Sequence, residues 1–222
     1  MCKKRYIFLL FIVLFLLVIN YAEVNIIKDT YVMKICEAQD LKKDDTTSKM
    51  SWELTDDEIK KVIELAKSYR KNPYVLKNWI VGDMETGKTY ITVVTPALMV
   101  FLSALDSLKK YIEPDINEIK RTLEVIKNSL AIYTQVYGDK IDFAKDYYCV
   151  IRIGDKIIHP YYKQTKEIAE MTENWPYSPA YKAMNIYAFS TIEIPRDAKI
   201  EVIIIKGLLD EEVFKVDLSQ IP

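Results

Sequence analysis

The chain has 222 residues, half of them hydrophobic, with 31 basic against 32 acidic side chains and a formal charge of −1 at pH 7. That apolar content is enough to bury one sizeable core or two small ones. The near-neutral balance gives no electrostatic footprint for a nucleic-acid partner, and a single histidine means that any Ser-His-Asp triad or multi-histidine zinc site would have to be built around it.

Lys3, Lys4 and Arg5 precede an uninterrupted apolar run from Tyr6 to Ile19, after which Asn20 and Glu23 end the hydrophobicity. This is the pattern of a secretory leader, so residues 1–22 are expected to be a signal peptide or a membrane anchor. The run is short of the ~20 residues of a spanning helix, which favours cleavage, but Asn20 makes a poor cleavage site and an uncleaved anchor stays open. In both cases the basic residues stay inside and the rest is extracytoplasmic. Cys2 lies before the run and not at its end, so it is not placed as a lipoprotein cysteine would be. Loss of Lys3, Lys4 and Arg5 leaves 31 − 3 = 28 basic against 32 acidic side chains, a charge of −4 on the exported part. Cys36 and Cys149 are then the one possible exported pair, but Cys149 shares an alternating face with Ile151 and Ile153 and reads most simply as a buried small hydrophobe.

Residues 28–50 are mostly polar and 40–49 lack any apolar periodicity, so 23–53 reads as a tether. Thr55-Asp56-Asp57-Glu58 is a capping box, and Ile59, Val62, Ile63, Ala66 and Tyr69 form one stripe of a helix that ends before Asn72-Pro73. Next, Gly82-Asp83-Met84-Glu85-Thr86-Gly87-Lys88-Thr89 matches the phosphate-binding pattern GxxxxGK[ST]. A phosphate loop needs a helix starting at the Lys-Thr pair so that its N-H groups and dipole face the phosphates. Here Tyr90 to Val94 read as strand, and the best apolar strand, Val202 to Ile205, is followed by Lys206 instead of an aspartate for magnesium. The octapeptide is therefore expected to be the tip of a hairpin pairing 77–81 with 89–94, and no nucleotide or other cofactor is expected.

Thr95-Pro96 starts a second helix carrying Leu98, Phe101, Leu102, Leu105 and Leu108, apolar enough to be covered on most sides. Pro114-Asp115 opens a third, with Ile116, Ile119, Leu123 and Ile126. Near Ser129 the period changes to two. Leu130, Ile132, Thr134 and Val136 alternate up to the turn at Gly138-Asp139, and Gly154-Asp155 sits between 147–153 and 156–159 as a hairpin turn. Strands follow at 183–189, 200–206 and 212–218, with 191–194 expected as an edge piece. The inward face should include Cys149, Ile151, Val202, Ile204 and Phe214. The fold class is thus α+β: an amino-terminal helical region with a small β-hairpin at 54–128, followed by an antiparallel immunoglobulin-like β-sandwich at 129–222.

The runs TPALMVFLSALDSLKKY, YGDKIDFAKDYYCVIRIGDKIIHP and EEVFKVDLSQI together resemble a family of exported bacterial proteins of unassigned function. The resemblance covers about the last two thirds of the chain. It implies the same layout, helices followed by a sandwich, and brings no catalytic or binding residues.

Three places carry possible chemistry. His159 ends a strand before Pro160, where a histidine is ordinarily surface structure. Asp139, Asp142 and Asp146 gather three carboxylates in one loop, as calcium requires, but their spacing is not that of an EF-hand and Lys140 and Lys145 interleave, so a solvated interstrand loop is expected and no metal. The connection from Tyr161 to Tyr181 interleaves Tyr161, Tyr162, Trp175, Tyr177 and Tyr181 with Pro176 and Pro179. Rigid aromatics on such a loop either grip a partner or fold back to cover a sheet edge. The functional expectation is a non-enzymatic envelope interaction module, exported or anchored in the membrane by its amino-terminal segment, that binds an envelope protein or glycan through these aromatics. The alternative is an exported hydrolase whose site the residues do not reveal.

Overall fold

The computed structural model describes residues 52–69 and 73–222. The leader, Cys36 and nearly all of the expected tether lie outside the described residues, and among the described residues no helix is long and apolar enough to cross a membrane. Trp52, expected within the tether, is buried and its indole Nε1 donates to Ile194 O at 2.8 Å, so the folded unit already includes it.

Helix α1 (Asp56–Ser68) begins with the expected capping box: Thr55 Oγ1 accepts from Glu58 N, and the Glu58 carboxylate accepts from Thr55 N at 2.8 Å. Its buried stripe is Ile59, Val62, Ile63 and Ala66. Helix α2 (Pro96–Lys109) is capped by Thr95, whose Oγ1 accepts from Leu98 N at 3.2 Å, with Pro96 at the first helical position. Its first half is buried on every side, from Pro96 through Phe101, because it packs between α1 and the sheet. Helix α3 (Ile116–Val125) is capped by Asp115, which accepts from Asn117 N at 2.8 Å.

Among the described residues ten strands form two antiparallel sheets. The first is ordered β1 (Ile80–Gly82), β2 (Tyr90–Val94), β3 (Ser129–Gly138), β8 (Tyr181–Ser190) and β6 (Tyr162–Gln164), with the short β7 (Glu170–Met171) also on β8. The second is ordered β10 (Glu211–Asp217), β9 (Lys199–Ile205), β4 (Tyr148–Ile153) and β5 (Lys156–Ile158). The sheets share one core: Ile91, Val93, Leu130, Ile132, Tyr187 and Phe189 meet Cys149, Ile151, Val202, Ile204 and Phe214. The five expected inward residues are all there, at 0 to 8% exposure. On β3 the opposite face is buried too, with Ala131 at 0% and Tyr133 at 5%, as a strand covered on both faces requires.

Several boundaries differ from the sequence expectation. The hairpin is present, with Ile80 opposite Thr92 and Gly82 opposite Tyr90, but residues 77–79 belong to a 3-10 turn (Pro73–Trp79) that buries Trp79. β2 pairs along its length with β3, from Tyr90↔Gln135 to Val94↔Ala131, so the first sheet crosses the division expected at Asn128. Thr191–Glu193 is a 3-10 turn and not an edge strand: Thr191 N still donates to Asn128 O in register with the β3–β8 ladder, and Ile194 N then closes the turn on Thr191 O. The connection from Tyr161 to Tyr181 contains β6 and β7, two strands too short to carry a readable alternation.

Candidate functional site

The strands of both sheets end together. Gly138 lies opposite Tyr181 in the first sheet, and Ile205 lies opposite both Tyr148 and Glu211 in the second, so the loops 83–89, 139–147, 172–180 and 206–210 leave from one end of the sandwich. The other end is occupied by the starts of α1 and α2, the end of α3 and the turns at 154–155, 191–194 and 218–220.

The loop 139–147 is pinned from the core. Asn185, fully buried on β8, donates from Nδ2 to Ala144 O at 3.4 Å, and the Tyr187 hydroxyl donates to Tyr147 O at 3.1 Å. Both groups are satisfied, as buried polar groups must be. Phe143 folds back so closely that a Cβ on Gly138 would lie 2.5 Å from its ring, which only glycine tolerates. From this base Asp139 reaches the aromatic loop, accepting from Ser178 Oγ at 3.1 Å and from Ala180 N at 3.2 Å. Thr172 braces the same loop from the other side: its hydroxyl donates to Pro179 O and accepts from Asn174 N, and its own N donates to Ala180 O. Trp175 N to Thr172 O and Tyr177 N to Asn174 O complete the turn, and the peptide bonds before Pro176 and Pro179 are cis.

The five candidate aromatics divide into two groups. Tyr161 is half-buried, its hydroxyl 2.7 Å from Ser129 Oγ and its N donating to Ala188 O. Tyr162 belongs to β6 opposite Ala188 and donates to Gln164 Oε1 at 3.0 Å, while Tyr181 begins β8 and packs against the core. These three build the sheet. Trp175 and Tyr177 stand 50% and 77% exposed on the braced turn. The structure therefore brings two of the five together at a surface.

The GDMETGKT segment is the tip between β1 and β2, and strand, not helix, follows Lys88-Thr89. Lys88 Nζ lies 2.6 Å from Asp83 and 2.8 Å from Glu85, and these partners push its pKa well above the ordinary lysine value. Asp83 in turn is held below the usual carboxylate range, chiefly by Lys88. Within this tip the cation is already engaged with carboxylates. The tip lies beside the aromatic loop: a Cβ on Gly87 would meet the Pro179 ring at 3.2 Å. It also borders a shallow cavity of about 590 Å³ shared with Lys206, Asp210, Glu211 and Phe214.

Of the three aspartates, Asp139 braces the aromatic loop and Asp142 is paired with Lys145 at 2.8 Å, which lowers its pKa. Among the described residues no cluster of three or more His, Cys, Asp or Glu is arranged to hold a metal. His159 is exposed next to the Tyr148 ring. Cys149 is a free, fully buried thiol whose pKa burial pushes up, the opposite of a reactive thiolate.

The sequence reading passed over Leu208 and Leu209. They form the β9–β10 turn in KGLLD and are as exposed as a side chain can be, 104% and 100%. The available signal was a pair of leucines where Asn, Asp or Gly would be usual between two strands.

No protein-family model matches the chain, and no curated protein matches it. Among solved structures it is similar to a novel protein of unknown function from Burkholderia pseudomallei K96243, at 10% identity and a TM-score of 0.38, over 71% of this chain and 90% of that one.

Proposed function

We propose that this protein is a non-enzymatic interaction module of the cell envelope, exported or anchored by its amino-terminal apolar segment, and that it engages its partner through the turn bearing Trp175 and Tyr177. The observation that carries this reading is the combination of exposure and bracing on that turn: two large aromatic side chains face solvent while Asp139 and Thr172 hold their backbone. Such side chains bring large contact area on few rotatable bonds, and a turn already held by hydrogen bonds loses little further entropy on binding.

An immunoglobulin-like sandwich, in a family of exported proteins with this layout, is part of the same proposal. Strand order supports it. Lettering β2, β3, β4, β5, β6, β8, β9 and β10 as A, B, C, C′, D, E, F and G turns the two sheets into A-B-E-D and G-F-C-C′. In that lettering the loops 139–147 and 206–210 are B–C and F–G, which lie at the end through which antibody variable domains bind. This is analogy at the level of fold and adds weight only because the exposed aromatics stand at the same end.

The test pairs capture with turnover. Purified protein should show no hydrolysis of esters, peptides or glycans, and its retention of a component of envelope extract should weaken in Trp175→Ala and Tyr177→Ala without loss of folding. Hydrolytic turnover that survives further purification would replace this reading with an enzyme.

A further inference from the structure

Six of the thirteen exposed large apolar side chains among the described residues stand on the four loops of one end: Met84, Ile141, Trp175, Tyr177, Leu208 and Leu209. The loops form a connected rim. Asp139 ties the second loop to the third, Gly87 touches Pro179 between the first and third, and the first and fourth share the cavity lined by Lys88 and Lys206. Isolated exposed apolar residues need no explanation, but six gathered on four connected loops of distant sequence position do.

The net charge on this rim is negative. The four loops carry Asp83, Glu85, Asp139, Asp142, Asp146, Glu173 and Asp210 against Lys88, Lys140, Lys145 and Lys206, which is 4 − 7 = −3. Three of the lysines are already engaged: Lys88 by Asp83 and Glu85, Lys145 by Asp142, and Lys206 by Glu212 at 2.6 Å. The field this end presents outward is therefore acidic, and its exposed aromatic and aliphatic side chains stand on the same loops.

We propose that these four loops form one docking surface for a protein partner that presents an apolar groove ringed by lysine and arginine. This rests on the interaction-module reading above and names the chemistry of its partner. Aromatic and methionine side chains are enriched at protein interfaces, and complementary charge on the rim steers the encounter and fixes orientation. A sugar chain would use Trp175 and Tyr177 but leaves Leu208, Leu209 and Met84 without a role. An anionic bilayer attracts basic segments and would be repelled by this rim.

Placing the photo-reactive residue p-benzoylphenylalanine singly at Leu209, at Tyr177 and, as a control, at Tyr111 on the turn between α2 and α3 tests the proposal in the full chain. Adducts are identified by mass spectrometry, and the identified protein is then purified and titrated at 50 and 300 mM salt. The expected result is the same protein at Leu209 and Tyr177, none at Tyr111, and affinity at least tenfold weaker at high salt. A combined Asp146→Lys, Glu173→Lys and Asp210→Lys variant with an unchanged melting curve should weaken it by a similar factor. Adducts only to lipid, to glycan or to a second copy of this chain overturn the proposal, as does retention on vesicles of phosphatidylglycerol and phosphatidylcholine that the charge reversals leave unchanged. Salt-insensitive binding that still needs Trp175 overturns the basic-rimmed partner but leaves the interaction module standing. No adduct at either loop position removes both.

Discussion

The two ends of the sandwich spend the same residue types in opposite ways. At the helix end Trp79 is fully buried, its Nε1 donating to Thr95 Oγ1 at 3.1 Å and to Pro222 O at 3.2 Å, its ring 5.4 Å from Phe101. Thr95 is saturated there: it accepts from Trp79 Nε1 and Leu98 N and donates to Pro222 O at 2.9 Å. Trp52 closes the same end over Ile194. At the loop end Trp175 has no such socket, and hydrogen bonds hold the backbone beneath it instead of the ring. Satisfied and buried side chains at one end hold the fold together, while a satisfied backbone with exposed side chains marks the other as the end proposed for recognition.

The comparison breaks most readily in the core that both ends share. Ile204→Asp would place an unpaired carboxylate at a site with 0% exposure and should cost several kcal/mol, enough to abolish cooperative folding. Soluble Ile204→Asp protein with a sharp thermal transition would mean that β9 is not central. Trp79→Ala should cost about 3–5 kcal/mol in denaturant melts, since it removes a large buried ring and orphans a bond to Thr95.

Asp139→Ala tests the bracing of the loop end and should be much milder, about 1–2 kcal/mol for two hydrogen bonds at a largely exposed site. Its sharper readout is amide exchange, which should speed up across 172–180 and stay unchanged in α1 and α2; unchanged exchange in the loop would mean that Asp139 is not its support.

The smallest effect concerns pH at the helix end. Glu58 is held below its ordinary value of 4.5, first by the Thr55 backbone N–H and then by the Thr55 hydroxyl and Arg196, the latter at 3.0 Å. A lowered folded pKa contributes stability that is present above the unfolded value and lost as pH falls through the folded one. Glu58→Gln should therefore narrow the stability difference between pH 6 and pH 3, and an unchanged difference would show that the capping box contributes nothing to acid sensitivity.

Much of this was legible where the signal is local. Thr55 and Glu58, Thr95 and Pro96, and the alternation from Leu130 to Val136 each declare their element within a few residues, and strand after Lys88-Thr89 was readable against a motif that suggests otherwise. What escaped depends on distant partners. Pairing of β2 with β3 is set between segments about forty residues apart, and Trp52 is drawn in by Ile194 O. At the candidate site, composition drew attention to five aromatics but could not separate Tyr161, Tyr162 and Tyr181, which serve the sheet, from Trp175 and Tyr177, which face out. Leu208 and Leu209 were passed over because leucine reads as core until the turn that strands it outside is in view.

The central claim is that the Trp175 turn presents its aromatic side chains and does not cover a sheet edge. Thermal melting of the Trp175→Ala, Tyr177→Ala double variant beside Trp79→Ala tests it most directly, because 1 kcal/mol moves the midpoint by about 2–4 °C in a protein of this size. The account predicts a double variant within about 2 °C of wild type and a Trp79→Ala midpoint lower by many degrees. A double variant that melts as far below wild type as Trp79→Ala would show the loop to be a cover and would contradict the account.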